Sequence, residues 1–416
     1  MKRLSRSLVA FLETHLKTDI TYLLNGVGWL TVGQIVAVLS TLSLGVFFGH
    51  VLPKETYGMY KYLLSLSNLS GVFLLSGLGV GITRAAARLK DGTLAVGFRS
   101  VLRSGIVLTT ALFAGALYYW IHNNSTLAIG LIIIGICNPL FQAGLLYDSY
   151  LIGKKDFRVS TLFAFCSTAT WTIVAISTGL ATHSPVALVT GYFLVTTLST
   201  LGFYWYVSRY RVHNNDVDIE ALSYGKHMSA VNIVALFADS LDSLLLFHYL
   251  GAERLAVYAF AIAIPEQMKG IFKNIGQLSL VKFSEGNPER ARQSVMRKML
   301  ILLSIVTVAV GFYIILAPFL FAILFPKYVE SVIYSQIAAL AIIPVALVLP
   351  YSFLQAQADT RSVYAITVGS AFVRILFLWL LIPIYGILGA LMATVASRLF
   401  SVCITIFFAL KPIKNT

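Results

Sequence analysis

The chain has 416 residues, of which 58% are hydrophobic and only 12% charged, with a formal net charge of +14. A soluble domain carries about 25% charged residues, and the mean hydropathy is +0.83. These values exclude a soluble globular enzyme, a disordered chain and a coiled coil. Most of the surface must meet a solvent other than water, so the chain reads as a polytopic membrane protein.

A helix needs about 20 apolar residues to cross roughly 30 Å of hydrocarbon. Residues 1–19 come first, with Leu4, Leu8, Phe11, Leu12 and Leu16 at helical spacing and Lys2, Arg3, Arg6 and Lys17 largely opposite. That pattern predicts a cytoplasmic interfacial helix rather than a cleavable signal. Twelve long apolar runs follow, at about 24–49, 57–82, 100–121, 126–151, 159–181, 185–207, 228–250, 255–280, 299–322, 331–356, 362–382 and 386–409. Unpaired backbone polar groups are not tolerated in hydrocarbon, and the alternating segments of a β-barrel are absent, so an all-α bundle is predicted.

Charge fixes the expected orientation. With the N-terminus inside, Lys54, Lys61, Arg254 and Lys327 are the basic residues left on the outer side, while Arg84, Arg88, Arg99, Lys154, Arg211, Lys226 and most others fall inside. This asymmetry predicts cytoplasmic termini and accounts for the positive net charge without a nucleic-acid partner; the basic loops fit anionic lipid headgroups.

The two halves match at a constant offset of 198: Ile35-Val-Ala37 with Ile233-Val-Ala235, and His50, Leu52, Glu55 and Tyr60 with His248, Leu250, Glu253 and Tyr258. Six spans per half give both halves the same orientation, a parallel repeat. The predicted organisation is the interfacial helix at 1–19, an N-lobe at 20–207, a polar cytoplasmic linker at 208–226 and a C-lobe at 227–416. Substrates of such repeats usually sit between the lobes.

Ionisable residues within spans are expensive and mark cavities or interior pairs. Span 8 carries Glu266, Lys269, Lys273 and Gln277 at spacings that place them on one stripe. Asp239 and Asp242 share a face of span 7. Arg374 and Arg398 lie near the middles of spans 11 and 12, and Asn68 is the first-half equivalent of Glu266. The functional reading is a hydrated, net cationic cavity lined by Lys269, Lys273, Arg374, Arg398, Gln277 and Asn68, with Arg84, Arg88 and Arg99 at its cytoplasmic mouth. Such a cavity attracts an anion, phosphate above all. Asp239, Asp242 and Glu266 are then candidates for a coupling proton or sodium ion. The competing reading makes Asp239 or Asp242 a structural partner of Lys269, Lys273 or an arginine.

Catalytic signatures are missing. There is no phosphate-binding Walker loop, metal-ligand pattern or nucleophile triad, so neither metal nor cofactor is expected. Gly77-Leu-Gly-Val-Gly81 lies in an apolar helix, where glycine permits close packing. Cys137, Cys166 and Cys403 read as packing residues, and His50 and His248 as interfacial ones.

Several stretches carry a family likeness. Leu52-Pro-Lys-Glu-Thr-Tyr-Gly-Met-Tyr60, Leu78-Gly-Val-Gly-Ile-Thr-Arg84, and Asp242-Ser-Leu-Leu-Leu followed by Leu250-Gly-Ala-Glu-Arg-Leu-Ala-Val-Tyr258 resemble motifs of the polysaccharide transporter (Wzx-type oligosaccharide flippase) branch of the multidrug/oligosaccharidyl-lipid/polysaccharide (MOP) exporter superfamily. Ala256, where glycine is frequent, and the lack of a proline near Val281-Lys-Phe-Ser depart from the pattern. The resemblance implies a MATE-like fold and a non-enzymatic flippase in the bacterial inner membrane. Its implied substrate is an undecaprenyl-diphosphate-linked oligosaccharide of an O-antigen or related surface polysaccharide. Translocation would proceed by alternating access, alongside membrane lipids and other polysaccharide-assembly proteins. A multidrug cation antiporter and, with short outer loops against it, a glycosyl polymerase or ligase are the alternatives.

Overall fold

The structure, a computed structural model, describes residues 20–285, 288–356 and 360–410; within these, side chains are described except at 20–28, 30–32, 231, 271–285, 288–294, 355–356, 360–361, 363 and 409–410. The interfacial helix expected at 1–19 lies outside the described residues. The described chain is helical, with no strand among the described residues. Its helices are α1 (Ile20–Val51), α2 (Lys54–Ser70), α3 (Leu78–Ala87), α4 (Thr93–Ile121), α5 (Ser125–Gly153), α6 (Phe157–Ala181) and α7 (Pro185–Tyr210). They continue as α8 (Ile219–Glu285), α9 (Pro288–Leu324), α10 (Ser331–Leu340), α11 (Val348–Ala356), α12 (Thr360–Tyr385) and α13 (Ile387–Leu410).

Ten described helices are long and apolar enough to span a bilayer, or eleven if α2 and α3 form one broken span. Dividing the long α8 at Gly251, where φ 81 and ψ −179 interrupt the helix, makes the count compatible with the twelve runs of the sequence. Only glycine takes up such a backbone without strain. Pro53, which ends the first span, stands at the same place in the 198-residue repeat.

Two predicted spans are interrupted. The run at 57–82 breaks into α2 and α3, with a 3-10 turn at Gly71–Phe73 and Leu75 at φ 50 between them. Ser65 and Ser70 lead into this break and hydrogen-bond locally, to the Lys61 and Ser67 carbonyls, competing with the helical ladder. The run at 331–356 divides into α10 and α11 around a 3-10 turn at Ile343–Leu347, where Pro344 removes a backbone donor.

Packing divides the chain into two compact units. One comprises residues 1–43, 73–177 and 190–230; the other, 44–72, 178–189 and 231–416. Lipid gives apolar side chains no hydrophobic reason to associate, so close backbone approach matters more than in water. In the first unit a Cβ on Gly81 would lie 2.4 Å from the Ala221 carbonyl oxygen, so the glycine-rich run at 77–81 is a packing surface, as its apolar setting predicted. In the second, a Cβ on Gly58 would fall 1.8 Å from the Ala252 carbonyl oxygen, which ties α2 to the break in α8. Large apolar residues are left outward for lipid, Ile315 at 82% exposure among them.

Of the linker expected at 208–226, only residues 211–218 lie between helices, and side chains rather than regular structure hold them. Asp91, 1% exposed, accepts a hydrogen bond from the His213 backbone N–H at 3.1 Å and an ion pair from Lys154 at 2.6 Å. Asn214 donates to the Leu89 carbonyl and accepts from the Asp91 N–H. Burial alone would raise the Asp91 carboxyl, but Lys154 and the His213 N–H outweigh it and hold it below the ordinary carboxylate range.

Candidate functional site

The site is assembled within the second unit. Asp239 and Asp242 come from the first arm of α8, Glu266 and Lys269 from its second arm, Arg374 from α12 and Arg398 from α13. All six line one cavity of about 240 Å3, together with Tyr258, Thr394 and apolar residues that include Ile262 and Leu391. Pro265, immediately before Glu266, lines it too. Two further hollows share these walls. One of about 180 Å3 adds Thr367, Ser370, Ser397 and Ser401. The other, of about 400 Å3, adds Tyr351 and Thr405.

Arg374 is the centre of the polar network. Its Nη1 donates to Asp239 Oδ1 at 2.7 Å and its Nη2 to Asp242 Oδ2 at 3.1 Å. The two carboxylates differ in setting. Asp242 is 6% exposed at its side chain and also accepts from the Tyr258 hydroxyl and the Ser243 N–H; Asp239 is 72% exposed. Asp242 is therefore a satisfied interior acid and Asp239 a solvent-reached one. Glu266 and Lys269, one helical turn apart, pair at 2.8 Å. Arg398 forms no ion pair or hydrogen bond among the described residues, and the buried Arg374 Nε also has no partner there.

Six of the predicted residues thus come together. Asn68 is exposed on α2 and does not line the cavity. Lys273 and Gln277 lie outside the residues whose side chains are described. Arg84, Arg88 and Arg99 belong to the first unit. Arg88 pairs with Asp218 at 3.2 Å and with Glu220 at 3.4 Å, and Arg84 with Glu220 at 3.8 Å. Those acids offset the basic excess expected at a cytoplasmic mouth.

The expected net cationic lining counted Lys273, whose side chain lies outside the described residues. Among the described residues the cavity holds three acids, Asp239, Asp242 and Glu266, against three bases, Lys269, Arg374 and Arg398. What distinguishes the bases is their pairing: both acids of the first arm are committed to Arg374, while Arg398 has no counter-charge in contact among the described residues. The hydroxyl residues were missed by sequence reasoning centred on charge. Thr367, Ser370 and Arg374 on α12, and Thr394, Ser397/Arg398, Ser401 and Thr405 on α13, recur at three- to four-residue spacing, a stripe readable in the sequence.

The fold is that of the MOP-superfamily membrane transporters. The lipid II flippase MurJ in an inward closed conformation superposes with a TM-score of 0.71 at 14% identity, covering 92% of this chain and 88% of that one. An outward-facing multidrug resistance MATE family transporter gives 0.67 at 13%, covering 92% and 94%. A Pyrococcus furiosus MOP transporter, described as having a binding pocket of reversed polarity, gives 0.63 at 14%, covering 91% and 92%. Within that fold the chain belongs to the polysaccharide biosynthesis protein family, whose profile matches residues 50–333. No curated protein matches it in sequence. The protein is therefore a multi-pass membrane protein of a polysaccharide biosynthesis family, folded like the MOP-superfamily transporters.

Proposed function

We propose that the protein moves undecaprenyl-diphosphate-linked oligosaccharide repeat units of an O-antigen or related surface polysaccharide from the inner to the outer leaflet of the bacterial inner membrane, with both termini cytoplasmic. The observation that carries this reading is Arg398, which has no ion-pair partner among the described residues, in a hydroxyl-lined cavity of the second unit. A guanidinium offers planar, multiple donors suited to phosphate oxygens, and serine and threonine hydroxyls suit phosphate or sugar. Arg374 and Lys269 flank it, and Lys273 of the same span would extend the basic lining. The lipid tail stays in the bilayer while the lobes rock between inward-open and outward-open forms. Asp239 and Glu266, the cavity acids that solvent reaches, are the groups able to take up a coupling proton or sodium ion. Other membrane proteins of polysaccharide assembly would supply and receive the substrate.

The test is translocation of a fluorescent lipid-linked oligosaccharide in reconstituted vesicles. Arg398→Gln breaks no ion pair among the described residues and should fold normally, yet it should lower the flipping rate at least tenfold. Unchanged flipping by Arg398→Gln and by the Arg398→Gln/Lys269→Gln double variant would overturn the site assignment. Drug resistance conferred in cells, without lipid-linked sugar movement, would favour the multidrug-antiporter alternative.

A further inference from the structure

Two corners of the chain, far apart in sequence, meet at one carboxylate. Lys54 opens α2 directly after Pro53, and Arg254 lies in the first turn after Gly251. Pro53 and Gly251 hold the same place in the 198-residue repeat, so the corners are repeat-related, one from each half. Glu330, in the turn before α10, accepts from both: Oε1 from Lys54, and Oε2 from Arg254 at 3.2 Å. Ile132 stands 198 residues before Glu330, so the repeat supplies no second bridge of this kind. Packing reflects the same join, because residues 44–72 of the first half fall in one compact unit with 231–416.

Other contacts close the joint around that bridge. Lys327, in the same turn as Glu330, donates to the His50 carbonyl near the end of α1. Phe260 packs on Tyr328, Tyr57 and Phe325 with ring centres 3.9, 4.7 and 5.0 Å away, and all four rings are buried. Lys54 also stands over the Tyr328 ring. The contacts are not equally secure. The side chains of Lys54, Glu330 and Arg254 are 31%, 41% and 54% exposed, so their pairs are weak and open to screening by salt. The Tyr328 hydroxyl is buried with no hydrogen-bond partner among the described residues, a cost that water would relieve on opening. Exposed pairs above a layer that carries such a cost make a joint poised to open.

We propose that Glu330 is a latch on the outer face: it holds the corner of the first half to the corner of the second, and its release lets the outer ends of the halves part. It then sets how often the outer face opens and has no part in holding the cargo. The inference goes beyond the transport reading, because the joint can be tested whatever the cargo is. Lys54 and Arg254 are both needed for the bridge, while Lys327, held by a backbone carbonyl, keeps the turn in place when Glu330 is neutralised.

The test uses the full chain in lipid nanodiscs, with Cys137, Cys166 and Cys403 replaced by serine. Spin labels on Glu55→Cys and Val329→Cys, two exposed positions, report the separation across the joint by double electron–electron resonance. Glu330→Gln should enlarge the long-distance population about two- to fivefold, and adding Lys54→Gln should change it little further, because the bridge is already broken. Raising salt from about 0.02 M to about 0.5 M should shift the wild type the same way and leave Glu330→Gln almost unmoved. In reconstituted vesicles, a reducible bifunctional thiol reagent joining Lys54→Cys to Glu330→Cys should stop flipping of lipid-linked oligosaccharide until reductant is added. Distances unmoved by Glu330→Gln, a salt response that persists in that variant, or full-rate flipping by the crosslinked protein would overturn the latch. Distances that respond as expected in a protein that flips no lipid-linked oligosaccharide would uphold the latch and sink only the transport reading.

Discussion

The inequality between the two carboxylates on Arg374 can be measured as stability. Asp242 and Arg374 are 6% and 17% exposed at their side chains, so deleting Arg374 leaves an interior carboxylate without its cation. Breaking one side of a buried ion pair costs about 3–5 kcal/mol. Asp239, at 72% exposure, behaves as a surface partner, for which about 0–1 kcal/mol is usual. Arg374→Gln should therefore destabilise strongly, and Asp239→Asn hardly at all. The double variant Arg374→Gln/Asp242→Asn should recover much of the loss, because a neutral amide oxygen still accepts from Tyr258 and carries no charge to desolvate. Thermal or denaturant unfolding of the purified variants in one detergent gives the ordering. Equal losses from Asp239→Asn and Arg374→Gln, or a double variant no better than Arg374→Gln, would refute the assignment of Asp242 as the interior partner.

Two further outcomes follow from the packing. Gly58→Val puts its first carbon within 1.8 Å of the Ala252 carbonyl oxygen, and since overpacking usually costs about 1–3 kcal/mol, this backbone clash should reach at least that range and lower the folded yield, measured by size-exclusion chromatography of a fluorescent fusion. Asp91→Asn should cost about 1.5–3 kcal/mol for each charged hydrogen bond weakened. Because the Asp91 carboxyl sits below its unfolded value of about 3.9, its contribution is fully present above that pH and is lost as pH falls through the lower folded value. The stability gap between wild type and Asp91→Asn should thus be widest at neutral pH and close in strong acid; a gap that widens on acidification contradicts the pairing.

The spans were legible because the bilayer imposes one simple requirement, apolar length, and the runs from 24–49 to 386–409 satisfy it openly. The interruptions were less legible. A hydropathy reading passes through Ser65–Gly77 and Ala341–Pro344 without pause, since small and hydroxyl residues are scarcely less apolar on average, while the backbone responds to local hydrogen bonding and to a missing proline donor. Gly251 shows the reverse case: one residue type at one repeat position is enough to turn the chain, yet glycine in a membrane helix is ordinarily a packing residue.

The candidate site separates what a charge inventory can reveal from what it cannot. Periodicity put Asp239 with Asp242 and Glu266 with Lys269, because each pair sits on one helix and geometry within a helix is fixed by spacing. It could not rank the partners of Arg374, which lie 132 and 135 residues away in sequence and whose unequal burial depends on packing around Tyr258. Nor could it show that Arg398 is the base left without a counter-ion, for that depends on where every other charge finds its partner. Counting charges could not show how they pair: among the described residues three acids face three bases, and one guanidinium has no ion-pair partner. An unmatched base recruits an anion more selectively than a surplus of paired ones, since it acts without first breaking an existing bond. Asp242, by contrast, joins α8 to α12 through Arg374 and the two arms of α8 through Tyr258, a structural task that burial suits.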